Sequence, residues 1–152
     1  MEALPTRQSS IALAPITADN WRDVTSLVVN ADQTDLVPPN YVSLCEHQFY
    51  PASAIRCVLA NHKVAGYIRY EFSPDTKRVS ILLFMIDQAC QGLGFGTKAL
   101  NLLMAELRSQ GVQSISLSTK TFAAVPPDDS PEHFFALSGF RKIDGDQMSV
   151  AL

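Results

Sequence analysis

The sequence predicts an α/β domain on one mixed sheet, antiparallel in its first half, with a parallel βαβ unit in its second. Two observations predict it. Three strand-like runs, at 55–60, 64–72 and 79–86, follow one another across short turns, as in a meander. An apolar helical stripe then leads to a further strand at 114–119, and a helical crossover makes those two strands parallel. The 152 residues suit one domain spanning 1–152.

In chain order, residues 10–16 read as a strand that Pro15 places at a sheet edge. Thr17 is a helix N-cap candidate, and Trp21, Val24, Leu27 and Val28 recur at helical spacing. Residues 36–40 form a loop, and 43–50 a short helix that Pro51 stops. Trp21 and Phe49 read as core residues. The run 79–86 is apolar on both faces, which places it centrally in the sheet. Phe95, Ala99, Leu102, Leu103 and Leu107 form the buried stripe of the next helix, with Lys98, Asn101, Glu106 and Arg108 on its wet side and Gly111 at its C-cap. A loop at 123–131, a short helix at 132–137 and a hairpin of 140–143 with 148–152 complete the chain.

Bulk properties exclude several classes. Hydrophobic residues make up 47% and charged ones 18%, which describes a globular chain. A net charge of −3 gives no general field for nucleic acid. The N-terminus MEALPTRQSS has no apolar signal core, and the longest apolar run is far short of a membrane span, so no membrane role is expected; three scattered cysteines suggest a reducing, cytoplasmic location. Cys45, Cys57 and Cys90 form no CxxC pair and, with His47, His62 and His133, no metal-ligand spacing.

The stretch QGLGFGTKAL, residues 91–100, sets glycines at every second position between the central strand and the helix. A helix start carries unpaired N–H groups and partial positive charge, and glycines let several amides converge on one anion. The chemical reading is a phosphate or pyrophosphate cradle; the plain alternative is a tight strand-to-helix turn. The dinucleotide fingerprint G-x-G-x-x-G and the P-loop both fit poorly, since Thr97 stands at the third fingerprint position and Lys98 does not follow a glycine.

Gln91-x-x-Gly94-x-Gly96 after an apolar strand resembles the acetyl-CoA signature Q/R-x-x-G-x-G/A of the GNAT superfamily of N-acetyltransferases. The element order resembles that fold across nearly the whole chain. The stretches Asn20-Trp21-Arg22, Asp32-Gln33, Asn40-Tyr41-Val42-Ser43-Leu44, Phe84-Met85-Ile86-Asp87 and Ser138-Gly139-Phe140 resemble bacterial spermine/spermidine acetyltransferase-like members.

The resemblance implies a GNAT-like sheet whose parallel pair splays, with the pantetheine arm of acetyl-CoA lying in the gap. The amides of Gln91, Gly92, Leu93, Gly94, Phe95, Gly96 and Thr97 would hold the pyrophosphate. Met85 and Ile86 would offer backbone groups to the arm, and a free amide near Ile86 would polarise the thioester carbonyl. Core packing is the plain reading of both side chains and is compatible with that role. The implied activity is transfer of acetyl from acetyl-CoA to a primary amine of a small molecule, a polyamine as first guess, by direct attack in a ternary complex. The fold also allows a homodimer.

Catalytic groups are less legible. Many relatives carry a tyrosine before the terminal Gly-Phe, where this chain has Phe135, which has no proton to give. Ser138, Ser118, another tyrosine or water would then protonate the thiolate, or it leaves unaided. Glu71 is the candidate base, with a solvated strand end as its plain reading. Asp32 and Glu46, with Asp35, lie near the first two helices, where relatives build the acceptor pocket; ordinary helix-surface charge is the alternative. The second functional reading is an acyl-CoA-binding or regulatory module with little turnover.

Overall fold

A computed structural model describes residues 4–29, 33, 40–123 and 129–152. In chain order these form β1 (Ile11–Pro15), α1 (Trp21–Thr25), α2 (Asn40–His47), β2 (Ser53–Ala60), β3 (Lys63–Phe72), β4 (Arg78–Ile86), α3 (Phe95–Ser109), β5 (Ser114–Ser118), β6 (Phe122–Ala123), α4 (Pro131–Ala136), β7 (Arg141–Asp144) and β8 (Gln147–Ala151). Short 3-10 turns at Gln88–Cys90 and Thr119–Thr121 join β4 to α3 and β5 to β6. Among the described residues no helix is long and apolar enough to cross a membrane.

The sheet runs β1-β2-β3-β4-β5-β8-β7, with β6 set against β4. This is the expected mixed α/β architecture: β1 lies at an edge, β1 to β4 form an antiparallel meander, and β4 and β5 are parallel. Buried side chains form a layer on each face. Ile68, Val79, Ile81, Phe84 and Ile86 join Ala99, Leu103 and Leu107 of α3 with Phe134 and Phe135 of α4. Ile55, Cys57, Tyr67, Leu83 and Met85 pack with Val24 on the face of α1 and α2.

Several elements depart from expectation for local reasons. Helix α2 spans Asn40–His47 instead of 43–50. The Asn40 side chain donates to the Val24 and Leu27 carbonyls at 2.8 and 3.0 Å, which anchors the helix start on the end of α1. Trp21 is 40% exposed and Phe49 80% exposed, so neither is a core residue; the Arg22 guanidinium lies 4.6 Å from the Trp21 ring. Leu102 of α3 is also at the surface, and Leu100 and Met104 are buried in its place. In α4, Ser130 is the N-cap, accepting from the His133 amide, and Pro131 opens the first turn.

The parallel ladder of β4 and β5 covers only Arg78 to Ile81, paired with Ser114 to Leu117. The β3–β4 register shifts between Arg69 and Tyr70, which pair with Leu83 and Ile81 and leave Leu82 as the extra residue. Such a bulge bends its strand. The ladder on the other side of β4 stops at Ile81, beside the bulge, and pairing resumes three residues on, where β6 pairs Phe122 and Ala123 with Phe84 and Met85. The segment after Ala123 was expected to be a loop; residues 124–128 lie outside the described ones.

Candidate functional site

The glycine stretch follows β4 directly. Asp87 ends the strand and caps the 3-10 turn by accepting from the Ala89 amide at 3.3 Å. Its other carboxylate oxygen accepts from the Val28 amide at 2.8 Å, and the Gln88 amide donates to the Val28 carbonyl at 2.7 Å. The junction between strand and cradle is therefore fastened to the segment after α1.

Gly92 and Gly94 have φ of +78° and +82°, a region that side chains enter at a cost. Gly94 is the N-cap of α3. The first helical hydrogen bond runs from the Lys98 amide to the Gly94 carbonyl at 3.2 Å, so the amides of Phe95, Gly96 and Thr97 precede the ladder. A Cβ placed on Gly92 or Gly94 would meet no atom of the described residues within 4 Å beyond its own chain neighbours. Packing within the described protein therefore does not require glycine at either position. Open space beside a helix start with amides to spare fits a bound anion such as the CoA pyrophosphate. Phe95 and Gly96 are buried and Leu93 packs on the core, so these residues can serve a ligand only through their backbones.

Met85 and Ile86 are 0% and 1% exposed, and their side chains belong to opposite core layers. Their backbones differ. The Asp87 amide donates to the Ala65 carbonyl on β3 at 2.8 Å. Strand alternation therefore turns Met85 toward β3 as well, and turns Ile86 and Phe84 toward the opposite edge. This corrects the expectation for Met85: the outward backbone groups belong to Ile86 and Phe84. The Ile86 carbonyl accepts from the Gln91 side chain at 2.9 Å. Gly66 lies opposite Ile86, and a Cβ on it would stand 2.3 Å from the Met85 carbonyl oxygen. The close seating of β3 on β4 at this point requires glycine.

Glu71 is half-buried and lines a cavity of about 500 Å³ with Ala52, Ser73, Arg78, Ser80 and Ser116. Register places Ser53, Glu71, Ser80, Ser116 and Ser149 in one row across five strands, on the face away from α3. Ser80 and Ser116 hydroxyls are 3.2 Å apart. Glu71 thus faces a cavity of mixed polar and apolar lining, two residues along β4 from the bulge at Leu82. Ser138 follows α4, and its Oγ is buried without a hydrogen-bond partner among the described residues. Phe135 is 0% exposed, with ring centroids 4.9 Å from Phe134 and 5.4 Å from Phe140, and Phe134 lies 6.3 Å from Phe84 of β4.

Glu46 does not stand free as an acceptor carboxylate. It forms an ion pair with Arg69, a residue only 8% exposed whose Nε also donates to Ser53 Oγ at 3.2 Å. Asp32 lies outside the described residues. Tyr67, opposite Met85, is fully buried and donates to Ser43 Oγ at 3.4 Å. Burial pushes its pKa up to about 12, so it stays a neutral phenol. Burial likewise raises Cys57 to about 11.

Sequence reasoning passed over Gly66, and it named Asp87 and Gln33 only within stretches of resemblance, with no role for either. A glycine inside a strand pattern is itself a signal of close backbone approach, and an aspartate directly after a strand is a turn signal. Gln33 offered no such signal, because its partner Gln91 lies 58 residues away.

The model of the acetyltransferase (GNAT) family matches residues 18–139. No curated protein matches the chain. Among solved structures, a GNAT-family acetyltransferase from Staphylococcus aureus Mu50 is similar at 15% identity and a TM-score of 0.68, covering 94% of this chain and 99% of that one. The ribosomal-protein-S18-alanine N-acetyltransferase from Escherichia coli is similar at 14% identity and a TM-score of 0.70, over 93% and 94% of the two chains. The PaiA N-acetyltransferase from Thermoplasma acidophilum, in complex with coenzyme A, is similar at 12% identity and a TM-score of 0.64, over 94% and 99%. At these identities the likeness is one of fold.

Proposed function

The chain belongs to the GNAT family of acetyltransferases, and from that premise we propose that it moves the acetyl group of acetyl-CoA to a primary amine of a small molecule, by direct attack in a ternary complex. The observation that carries this reading is the cradle: two left-handed glycines with open space beside them, at the start of α3 and the end of the central strand. Acetyl-CoA supplies an activated thioester. The amides of Gly92 to Thr97 would hold its pyrophosphate, and the outward edge of β4 at Phe84 and Ile86 would hold its arm. β6 pairs with that edge at Phe84 and Met85, so binding there exchanges one extended partner for another.

An alkyl amine has a pKa of about 10.4 and arrives protonated, so a base must take a proton before attack. Glu71 is our assignment for that base, directly or through water, because its cavity lies beside the bulge where the arm would end. The leaving thiol has a pKa of about 8.5, so an acid helps it only modestly. Proximity of amine and thioester, with an amide for the developing oxyanion, supplies most of the gain. This accommodates a phenylalanine at position 135.

A polyamine is one acceptor to test. Arg69 already holds Glu46, so that carboxylate is a weaker candidate for a second ammonium group. The deciding experiment mixes protein with acetyl-CoA and a panel of polyamines, amino acids and peptides, and follows free thiol. Amine-dependent thiol release supports the enzyme. Thermal stabilisation by acetyl-CoA with no release over the panel supports the second reading, a CoA-binding module, which the packed and buried Phe135 favours. No thermal shift at all would remove both.

A further inference from the structure

Gln33 is 5% exposed, a degree of burial that a primary amide tolerates only with partners. Its partner is the cradle. Gln33 Nε2 donates to Gln91 Oε1 at 3.1 Å, and Gln91 Nε2 donates back to Gln33 Oε1 at 2.8 Å. Gln91 Nε2 also donates to the Ile86 carbonyl at 2.9 Å. The two hydrogens of one amide nitrogen are thereby assigned, one to each acceptor. Turning the Gln91 amide over would set its oxygen against two other oxygens. The Ile86 carbonyl therefore fixes which way that amide faces, and the reciprocal pair with Gln33 holds it there.

That link spans from the last residue of β4 to the first residue of the cradle. It closes the loop formed by Asp87 and the 3-10 turn Gln88–Cys90. We propose that Gln33 is a positioning residue for CoA: it holds the Gln91 amide on the Ile86 carbonyl, and so sets the cradle at a fixed distance and angle from the strand edge. The inference rests on the cradle reading above. It explains why a glutamine serves at 33, since the site needs both a donor and an acceptor. Methionine would keep its length and shape with neither function, and glutamate would keep the acceptor but place an oxygen against Gln91 Oε1.

The test is calorimetric titration of CoA into the parent, Gln33→Met, Gln91→Met and the double variant, with urea unfolding of each. Gln33→Met should bind CoA about 10-fold more weakly, because binding must then order a cradle that two hydrogen bonds no longer hold in place. The double variant should bind no more weakly than Gln91→Met, because Gln33 acts through Gln91. With any accepted amine, KM for acetyl-CoA should rise while kcat holds. Gln33→Glu should lie between parent and Gln33→Met, and it carries the test if Gln33→Met does not fold. A Gln33 variant that loses stability yet binds CoA like the parent overturns the proposal, as do losses that simply add in the double. A parent that binds no CoA overturns the cradle reading itself, and this inference with it.

Discussion

Gly66→Ala should strike the site through the strand that carries it. The added methyl carbon would stand 2.3 Å from the Met85 carbonyl oxygen, 2.8 Å from Ile86 Cδ1 and 3.2 Å from Ile86 Cα. Two of these three atoms are backbone and cannot rotate aside. Ordinary contact begins near 3.4 Å, so β3 and β4 must part by about 1 Å at this register, an overpacking that costs about 1–3 kcal/mol. For a chain of this size that lowers Tm by about 3–10 °C. The displaced atoms lie on the segment whose outer edge would hold the CoA arm. CoA affinity, measured by calorimetry at 20 °C where the variant remains folded, should fall about 10-fold or more, since a 1 Å misplacement suffices for such losses. Leu107→Ala is the control. It removes a fully buried side chain at the far end of α3 and should cost about 2–5 kcal/mol without changing CoA affinity. A Gly66→Ala protein within about 0.5 kcal/mol of the parent and equal in CoA binding would refute the reasoning.

Gly94→Val places a β-branched residue at φ +82°, where its Cβ meets none of the described residues beyond its chain neighbours; we expect about 1–3 kcal/mol of destabilisation and a larger loss of CoA binding, and unaltered binding in the folded variant would end the cradle assignment. Glu71→Gln should lower kcat/KM about 100-fold or more with CoA affinity unchanged; a normal rate on a confirmed acceptor would place the base elsewhere. Phe135→Tyr carries a hydroxyl into a fully buried aromatic cluster and should cost about 1–3 kcal/mol in urea, whereas a gain in kcat with chemistry limiting would mean that the ring reaches the leaving thiolate. Burial raises Cys57 from 9.0 to about 11 and Tyr67 from 10.0 to about 12, so the unfolded chain sheds these protons first. Stability should be intact below about pH 9 and fall as pH rises toward 12; urea midpoints equal at pH 8 and pH 11 would contradict it.

The meander, the central strand and the crossover were legible because each rests on periodicity within one run. The glycine turn into α3 was legible for a related reason: its glycines and the helix they start are contiguous. Other features depend on contacts between distant segments. Asn40 starts α2 by reaching the carbonyls of Val24 and Leu27, so no pattern within residues 40–47 could set that boundary. Glu46 reads as surface charge until Arg69, 23 residues on, claims it. Which edge of β4 each backbone group faces follows from pairing with β3, and composition is silent on that. Trp21 looked like core because aromatic residues usually bury themselves, yet a five-residue helix left much of its ring at the surface.

The short strand β6 has a consequence for solubility. Residues 81–86 of β4 read ILLFMI, a six-residue run with no charge, glycine or proline. Segments of this kind, once their edge is bare, pair with copies of themselves and seed fibrils. The parallel ladder leaves β4 after Ile81, in the middle of the sheet, which would open that edge in any molecule without a bound arm. Two residues of β6 cover Phe84 and Met85. They would make the chain its own chaperone at the point where the proposed arm would need a gap, so substitutions to proline at 122 or 123 should show first as aggregation of the ligand-free protein.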